Sequence, residues 1–220
     1  MNPTDYPIAW EHPATRSAWT AHMVMNVAGF IGWIAAWVGL LYALVVFLSP
    51  GFVFLFVLPL GYCFYRAVAQ LRYFSPAFRM RRILRTYQWQ VLHHVTHGLS
   101  DHPNVPGRHY GWFEFPNPAR LDQLLALVFS QHLRTEWWHR RMAPRAKPEL
   151  KSQIGVIWFA GDPRFVGLVA VSKPDEAVPR RMQILEQRTE FEDGQSFTDW
   201  GVTPEDIKRG RRVGIYPTHS

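Results

Sequence analysis

Histidines, whose side chains can bind metals and transfer protons, are clustered in one segment of this chain. Six side chains that can bind metals or transfer protons fall within one short segment: His93, His94, His97, Asp101, His102 and His109. Imidazole nitrogens are common metal ligands and titrate near neutral pH. His93, His97 and His102 are the candidate ligands, but their spacing matches neither H-E-x-x-H nor another zinc signature. We therefore expect no bound metal or cofactor, with a metal-dependent enzyme that uses the 93–109 cluster as an alternative.

The remaining patterns do not indicate a specific reaction. Ser100, Asp101 and His102 are adjacent in the chain, whereas a catalytic triad needs side chains that converge in space. The sequence has no G-x-S-x-G elbow, no P-loop and no dinucleotide fingerprint. Its single cysteine, Cys63, excludes an intrachain disulfide and a Cys-based zinc site. These absences favour a non-enzymatic role.

Two apolar runs precede these residues and must set where they lie. The first, Met23–Leu48, can cross a hydrocarbon core of about 30 Å at about 1.5 Å per residue. The second, Phe52–Val68, is shorter, and Arg66 near its end can reach the lipid headgroups. Because only three residues separate the runs, the two helices must be antiparallel. The sequence predicts a two-helix transmembrane hairpin over residues 23–72, preceded by a polar leader over residues 1–22.

The formal net charge of +7 is distributed unevenly along the chain. Residues 12–100 carry seven arginines and no acidic residue, whereas residues 101–220 hold 17 basic against 15 acidic residues. This balance argues against a nucleic-acid-binding domain, which needs basic residues on the domain itself. Six of the arginines lie near the end of the second run or after it: Arg66, Arg72, Arg79, Arg81, Arg82 and Arg85. By the positive-inside rule, we expect a multi-pass inner-membrane protein with both termini in the cytoplasm.

Small residues on the first predicted span form two ridges. Their members are Ala28, Gly32 and Ala36 on one ridge, and Ala35, Gly39 and Ala43 on the other. Ridges of this kind let helix backbones approach closely in a membrane. We expect one ridge to pack on the second span of the same chain, and a homodimer contact through the other is an alternative.

The segment after the hairpin, residues 73–88, has the pattern of a basic amphipathic helix. Ser75 is a suitable N-cap, and Pro76 is a suitable first helical residue. Its apolar positions are Met80, Ile83, Leu84 and Tyr87. The arginines that we expect to contact lipid headgroups are Arg72, Arg79, Arg81, Arg82 and Arg85. The pattern predicts a helix that lies on the inner leaflet and is attracted to anionic lipid.

Residues 89–220 have the pattern of a β-rich cytoplasmic domain with short helices. Alternating residues indicate a strand that begins near residue 88, then a loop over residues 97–103 and an aromatic strand over Tyr110–Phe115. Residues 120–133 fit either a helix or a buried strand. The predicted fold class is therefore α+β, with the helical hairpin first and the β-rich domain after it.

The clearest β-hairpin pairs Ile154–Phe159 with Phe165–Val171. Asp162 and Pro163 are typical of the first two positions of the turn between them. Alternation makes both faces of this hairpin apolar, which predicts that it is the centre of the domain. We expect Arg164 to be exposed at the turn, with a turn-capping or ion-pair role that is dispensable for folding.

Helices are predicted on both sides of that hairpin. Residues 143–153 are typical of a helix with a proline in its first turn. A strand is indicated at Gln183–Arg188. Thr203 and Pro204 are suitable for the N-cap and first position of a short helix. The following residues Lys208–Arg212 are predicted to form a basic C-terminal tail.

Three sequence segments carry a resemblance to a known group of proteins. They are RRILRTYQWQ after the hairpin, RTEWWHRR in the β-rich domain and the turn AGDPRF. With these segments, the chain resembles small actinobacterial membrane proteins of unassigned function. The resemblance implies two transmembrane helices followed by a cytoplasmic β-rich domain, and it implies no catalytic residues.

Taken together, these patterns favour an anchored interaction or scaffold module. The aromatic-rich domain would bind a protein partner, and the hairpin would hold that partner at the membrane. A membrane-tethered metal-dependent enzyme is the first alternative, and a membrane-tethered nucleic-acid binder is the second. Membrane lipids are the other expected partner.

Overall fold

The computed structural model of the chain describes residues 3–47, 54–99, 102–103, 110–130, 135–172, 178–188 and 197–215. The chain divides into two structural units. Residues 1–18 together with residues 79–220 form one, which we call the β unit. Residues 19–78 form the other, which we call the helical unit. The helical unit is therefore inserted in the sequence of the β unit.

The first part of the chain is helical. Its helices are α1 Pro13–Phe47, α2 Phe54–Leu71 and α3 Phe74–Thr86. Helix α1 begins ten residues before the predicted span, because Pro13 suits a first helical position and no further proline follows it within the helix. Both α1 and the stretch from α2 into α3 are long and apolar enough to cross a membrane. Many large apolar side chains of α1 and α2 are exposed, as shown by Val45 at 78% and Leu58 at 82%.

A polar pair joins α1 to the end of α2 within the helical unit. The Gln70 side-chain Nε2 donates a hydrogen bond to the backbone oxygen of Asn26 at 3.2 Å, and both residues are buried. Gly29 makes this approach feasible, because a Cβ at this position would lie 2.8 Å from the Gln70 amide nitrogen. One turn further along α1, Trp33 packs edge-to-face on Tyr62 of α2, with ring centroids 5.7 Å apart.

The predicted ridges of small residues lie on other faces of α1. No described atom outside the helix itself lies within 4 Å of where a Cβ would stand on Gly32 or Gly39. Ala28, Ala35 and Ala36 are exposed, and Ala43 is partly exposed. The expectation that one ridge packs on the second span is therefore corrected. A buried amide and large aromatic rings form the contact instead, because they reach further from the helix axis than alanine does.

The described part of the β unit contains one antiparallel sheet of seven strands. The strands are β1 Gln90–His93, β2 His97–Leu99, β3 Tyr110–Asn117, β4 Arg120–Ser130, β5 Val156–Asp162, β6 Val166–Val171 and β7 Arg180–Gln187. Their order across the sheet is β1-β5-β6-β7-β4-β3-β2. The helices of this part are α4 Glu136–Met142, α5 Pro148–Lys151 and α6 Pro204–Arg212, and short 3-10 turns lie at Pro3–Asp5, Ala9–Glu11, Ser152–Ile154 and Phe197–Trp200. The chain is α+β, with N-terminal helices followed by this sheet.

Strands β1 and β2 stand at opposite ends of the strand order but are only three residues apart in the chain. The His94 amide donates to the Gly155 oxygen at 3.0 Å, and the Glu114 amide donates to the Thr96 oxygen at 2.9 Å. The residues between β1 and β2 therefore continue the hydrogen bonding to the segments beside them, at Gly155 before β5 and at Glu114 of β3. His94 has a φ of 53°, which marks a sharp bend. The two strands act as one bent strand that closes the sheet into a barrel, and the loop predicted at residues 97–103 begins as strand β2.

Aromatic and branched side chains fill the inside of this barrel. Phe113 and Phe115 on β3 alternate with outward-facing residues, as Ile157 and Phe159 do on β5. Phe115 stacks on Phe159 with ring centroids 4.1 Å apart. The other members of this core are Leu127, Phe129, Trp138, Met142, Ile154, Val169, Val171 and Leu185. Helix α4 and the 3-10 turn after α5 therefore contribute to the barrel core.

Several elements differ in extent from the sequence prediction. Residues 120–130 form strand β4 rather than a helix, and β3 continues through Pro116. No element was predicted for α4. The helix predicted over residues 143–153 is reduced to α5 and a 3-10 turn, because two prolines interrupt this segment and Pro148 begins α5. The predicted hairpin is present, although β5 starts two residues later and extends to Asp162.

The outer face of β5 is also buried, which agrees with the predicted two-sided hairpin. Trp158 is 4% exposed and packs edge-to-face on Trp89 with ring centroids 5.7 Å apart. The Trp89 indole donates to the Thr15 hydroxyl at 2.9 Å, and His12 lies against Trp158. The Ala9 amide donates to the Tyr87 oxygen at 2.9 Å. The prediction of a separate leader over residues 1–22 is therefore corrected, because Ala9, His12 and Thr15 lie over the barrel.

Replacing Trp158 with alanine should lower the free energy of unfolding by about 3–5 kcal/mol, because it removes a large buried ring and leaves a cavity. The measurement is chemical denaturation of the purified chain, followed by tryptophan fluorescence. Val156→Ala is the matched control, since Val156 is on the same strand and is 42% exposed. Equal stability of Trp158→Ala and Val156→Ala would contradict the two-sided burial of β5.

Candidate functional site

The apolar face of helix α3, which was predicted to lie on the membrane surface, is buried within the protein. Met80 is 4% exposed, and Ile83 and Leu84 are fully buried. The helix begins at Phe74, so Ser75 and Pro76 lie inside its first turn rather than at the cap. Its apolar face is therefore not available to lie in a lipid leaflet, which corrects that part of the sequence interpretation.

The arginines around α3 differ in their surroundings. Arg79 forms an ion pair with Glu186 of β7. Arg81 and Arg85 both lie over the ring of Trp10, with their Cζ atoms 5.1 and 5.4 Å from its centroid. Arg72 and Arg82 are exposed. The sequence pattern could not distinguish these contacts, because the partners of the arginines lie on β7 and in the N-terminal segment.

The candidate metal ligands do not converge in the described part of the chain. His93 is exposed on β1, and His97 on β2 makes a contact of 2.8 Å between its Nδ1 and the Val95 oxygen. His102 Nε2 lies 3.0 Å from Glu114 Oε1. No group of three or more His, Cys, Asp or Glu among the described residues is placed to hold a metal ion. Ser100, Asp101 and His109 lie outside the described residues.

Arg164 is buried, which corrects the expectation that it is exposed at the β5–β6 turn. It is 4% exposed and donates to Asp162 through Nε at 2.9 Å and through a terminal nitrogen at 2.7 Å. It also pairs with Asp206 at 2.9 Å and donates to the Gly201 oxygen at 2.9 Å. The predicted ion-pair role is present, and it ties the turn to the start of α6.

Helix α6 has the predicted cap, and it includes the residues that were predicted to be a tail. Thr203 and Asp206 form a reciprocal capping box, with Pro204 in the first turn. The helix continues to Arg212, and its buried Gly210 lies beside Phe165. Burial alone would raise the pKa of Asp206, but hydrogen bonds from Thr203 and the charge of Arg164 outweigh it and hold this pKa below its ordinary value.

Arg164→Ala should lower the free energy of unfolding by about 3–5 kcal/mol, because it leaves two carboxylates without their cation. The exposed Arg145→Ala is the matched control and should be close to neutral.

Because the pKa of Asp206 is lowered in the fold, its stabilisation is complete above the ordinary carboxyl pKa of about 4 and is lost as the pH falls below it. Denaturation curves at neutral and acidic pH should show this loss in the parent and less of it in Asp206→Asn. A neutral Arg164→Ala would contradict the structural role of the cluster.

A different surface of the β unit brings cations to an aromatic ring without a described carboxylate between them. Helix α4 buries Trp138 in the barrel core and leaves Trp137 half-buried. Arg141, one turn after Trp137, places its Cζ 3.8 Å from the centroid of that ring. Arg181 on β7 lies over the same ring, with its Cζ at 5.8 Å. Trp137, Arg141 and Arg181 define what we call the Trp137 surface.

The backbone of β7 explains why Arg181 reaches this ring. The β6–β7 register shifts between Val169, which pairs with Gln183, and Val171, which pairs with Arg180. One extra residue is therefore accommodated on β7, as in a β-bulge. Arg181 has a φ of 52°, and its backbone oxygen accepts a hydrogen bond of 3.1 Å from the Trp138 indole. The bulge turns the Arg181 side chain towards Trp137.

The Trp137 surface holds two positive charges, those of Arg141 and Arg181, close together. Burial, and then the positive charges of Arg181 and Arg140, lower the pKa of Arg141. Arg141 is fixed by hydrogen bonds from its Nε to Gln153 at 2.8 Å and from a terminal nitrogen to the Trp137 oxygen at 3.0 Å. Among the described residues, neither Arg141 nor Arg181 forms an ion pair. The arrangement is chemically suited to hold an anion.

Sequence reasoning missed this surface although part of its signal was present. The four-residue spacing of Trp137 and Arg141 is that of neighbours on one helix face. The contribution of Arg181 depends on a bulge, which has no simple sequence pattern. A groove of about 560 Å³ lies elsewhere on the β unit, lined by His97, Gly98, Leu99, Trp112, Met142, Pro144 and Lys151.

Comparisons of the chain with protein families, with curated proteins and with solved structures find no match.

Proposed function

We propose that this chain is a membrane-anchored interaction module, in which the helical unit is a transmembrane hairpin and the β unit binds a protein partner in the cytoplasm. The observation that carries the proposal is the insertion of the apolar helices into the sequence of a filled β-barrel. A barrel whose interior is occupied by its own side chains binds through its surface.

The exposed surface of the helical unit supports the anchor. The most apolar window of α1 has a mean hydropathy of 2.0, and none of it is buried within the protein. Large apolar patches of this kind mark membrane or protein contacts. The buried hydrogen bond from Gln70 to Asn26 supports pairing of the two helices, since amides often join helices in membranes.

The arginines support the orientation and the lipid partner. Arg72 and Arg82 are exposed after α2, and no acidic residue lies between His12 and Ser100. The positive-inside rule then places both termini in the cytoplasm of an inner membrane. These two arginines supply the attraction to anionic headgroups that we propose for this region. The exposed ridge that contains Gly32 is the surface we propose for contact between two copies of the chain in the membrane.

The anchor can be tested by replacing the hairpin. Trp19 donates to the Ala77 oxygen at 2.8 Å, so the two ends of the helical unit are adjacent. A variant that joins Ala18 to Arg79 through a short Gly-Ser linker should leave the membrane fraction and keep the thermal transition of the β unit. Fractionation and differential scanning fluorimetry measure the two results. A parent chain found in the cytosolic fraction would overturn the anchor.

The orientation can be tested by cysteine labelling in whole cells. In a Cys63→Ala background, Ser49→Cys should react with a membrane-impermeant maleimide added outside. Glu149→Cys, an exposed position on α5, should react only after the cells are opened. The reverse labelling pattern would place the β unit outside the cytoplasm and contradict the orientation.

A further inference from the structure

We infer that the Trp137 surface binds an acidic peptide segment of a partner protein, with a side-chain carboxylate held by Arg141 and Arg181 beside the indole ring. This inference deepens the proposed function, since it names the chemical class that the interaction module recognises, and it rests on that proposal for the existence of a protein partner.

The first step is the geometry of the two cations. Each guanidinium carbon lies within 6 Å of the same ring centroid, at 3.8 Å for Arg141 and 5.8 Å for Arg181. A guanidinium carries five N–H donors, and two of those of Arg141 are used by Gln153 and by the Trp137 oxygen. The remaining donors of both arginines are available to a carboxylate, which accepts hydrogen bonds from a guanidinium in a bidentate manner.

The second step is the charge balance of the surface. The nearby Arg140 is paired with Glu136, and Arg79 and Arg164 also have carboxylate partners. In contrast, Arg141 and Arg181 make no ion pair with any residue that the structure describes. Two like charges on one ring repel each other, and the binding of an anion between them relieves that repulsion.

The third step is the backbone of Arg181. A residue other than glycine at a φ of 52° is strained, at a cost of about 1–3 kcal/mol. Glycine adopts this conformation without that cost. The Arg181 guanidinium lies over Trp137, and no hydrogen bond among the described residues uses it. The strained backbone therefore places a charge beside Trp137, where no described carboxylate pairs with it.

The fourth step selects a peptide over other anions. Tryptophan and arginine are the residues that contribute most to protein–protein interfaces, where a half-buried ring gives a flat apolar contact. The exposed charges from the start of α4 to the end of α5 are mainly basic: Arg140, Arg145, Lys147 and Lys151, against Glu136 and Glu149. A peptide with several carboxylates uses both the arginine pair and this surrounding field.

The test is binding of a fluorescein-labelled hexaglutamate peptide to the full chain in nanodiscs of neutral phosphatidylcholine, measured by fluorescence anisotropy. The parent should bind the peptide and should not bind hexaglutamine. Arg181→Gly should weaken binding about 3- to 10-fold, as expected for loss of one partly exposed charge contact. The same variant should have an unchanged or higher thermal transition, because it relieves the strained φ. Arg141→Gln should also weaken binding.

The control variant is Arg145→Gln, which removes an exposed charge from the same segment without touching Trp137. It should change the affinity less than Arg181→Gly does. Equal effects of these two variants, or parent binding to neither peptide, would overturn the site. Displacement of the peptide by inorganic phosphate at low millimolar concentration, or Arg181-dependent binding to anionic nanodiscs without peptide, would assign the surface to phosphate groups instead. None of these results depends on the membrane fractionation and labelling that test the proposed function, so the two failures are distinguishable.

Discussion

The short connection between β1 and β2 is the constraint on which the β unit depends. A flat sheet of seven strands would separate its edge strands by about 29 Å, at about 4.8 Å per strand. The three residues between β1 and β2 span at most about 14 Å when fully extended. The sheet must therefore curl until its ends meet at the bend at His94, and its concave side becomes an interior that only side chains can fill. This requirement explains the stacked phenylalanines of β3 and β5.

Curling also leaves the convex side of β5 and β6 in need of a cover, because these strands are apolar on both faces. The N-terminal segment and the residues after α3 supply it through Thr15 and Trp89, and the Trp89 ring packs on Trp158 of β5. These covering residues precede and follow the helical unit in the sequence. The helical unit is consequently connected to the β unit at both of its ends.

Local patterns predicted the elements whose signal is short-range. The apolar helices, the β5–β6 hairpin and the Thr203 cap follow from composition, alternation and capping chemistry. The bend at His94, the bulge at Arg181 and the identity of β4 did not follow, because each depends on strand partners distant in sequence. The same limit applies to the sites. The arginines of α3 were recognised as a group, but their separate acceptors, Trp10 and Glu186, could be assigned only from the tertiary structure.

Arginine illustrates how the neighbour decides the role. The charge of Arg164 is required by the fold, because Asp162 and Asp206 would otherwise be left beside the core without a cation. The side chain of Arg181 lies over Trp137, leaves no described carboxylate behind when it is removed, and is carried by a backbone that glycine would relax. Among the described residues, Arg164 therefore has two carboxylate partners, whereas Arg181 has an aromatic ring as its partner. The acidic ligand that we propose would supply the carboxylate that the described residues do not place beside the guanidinium groups of Arg141 and Arg181.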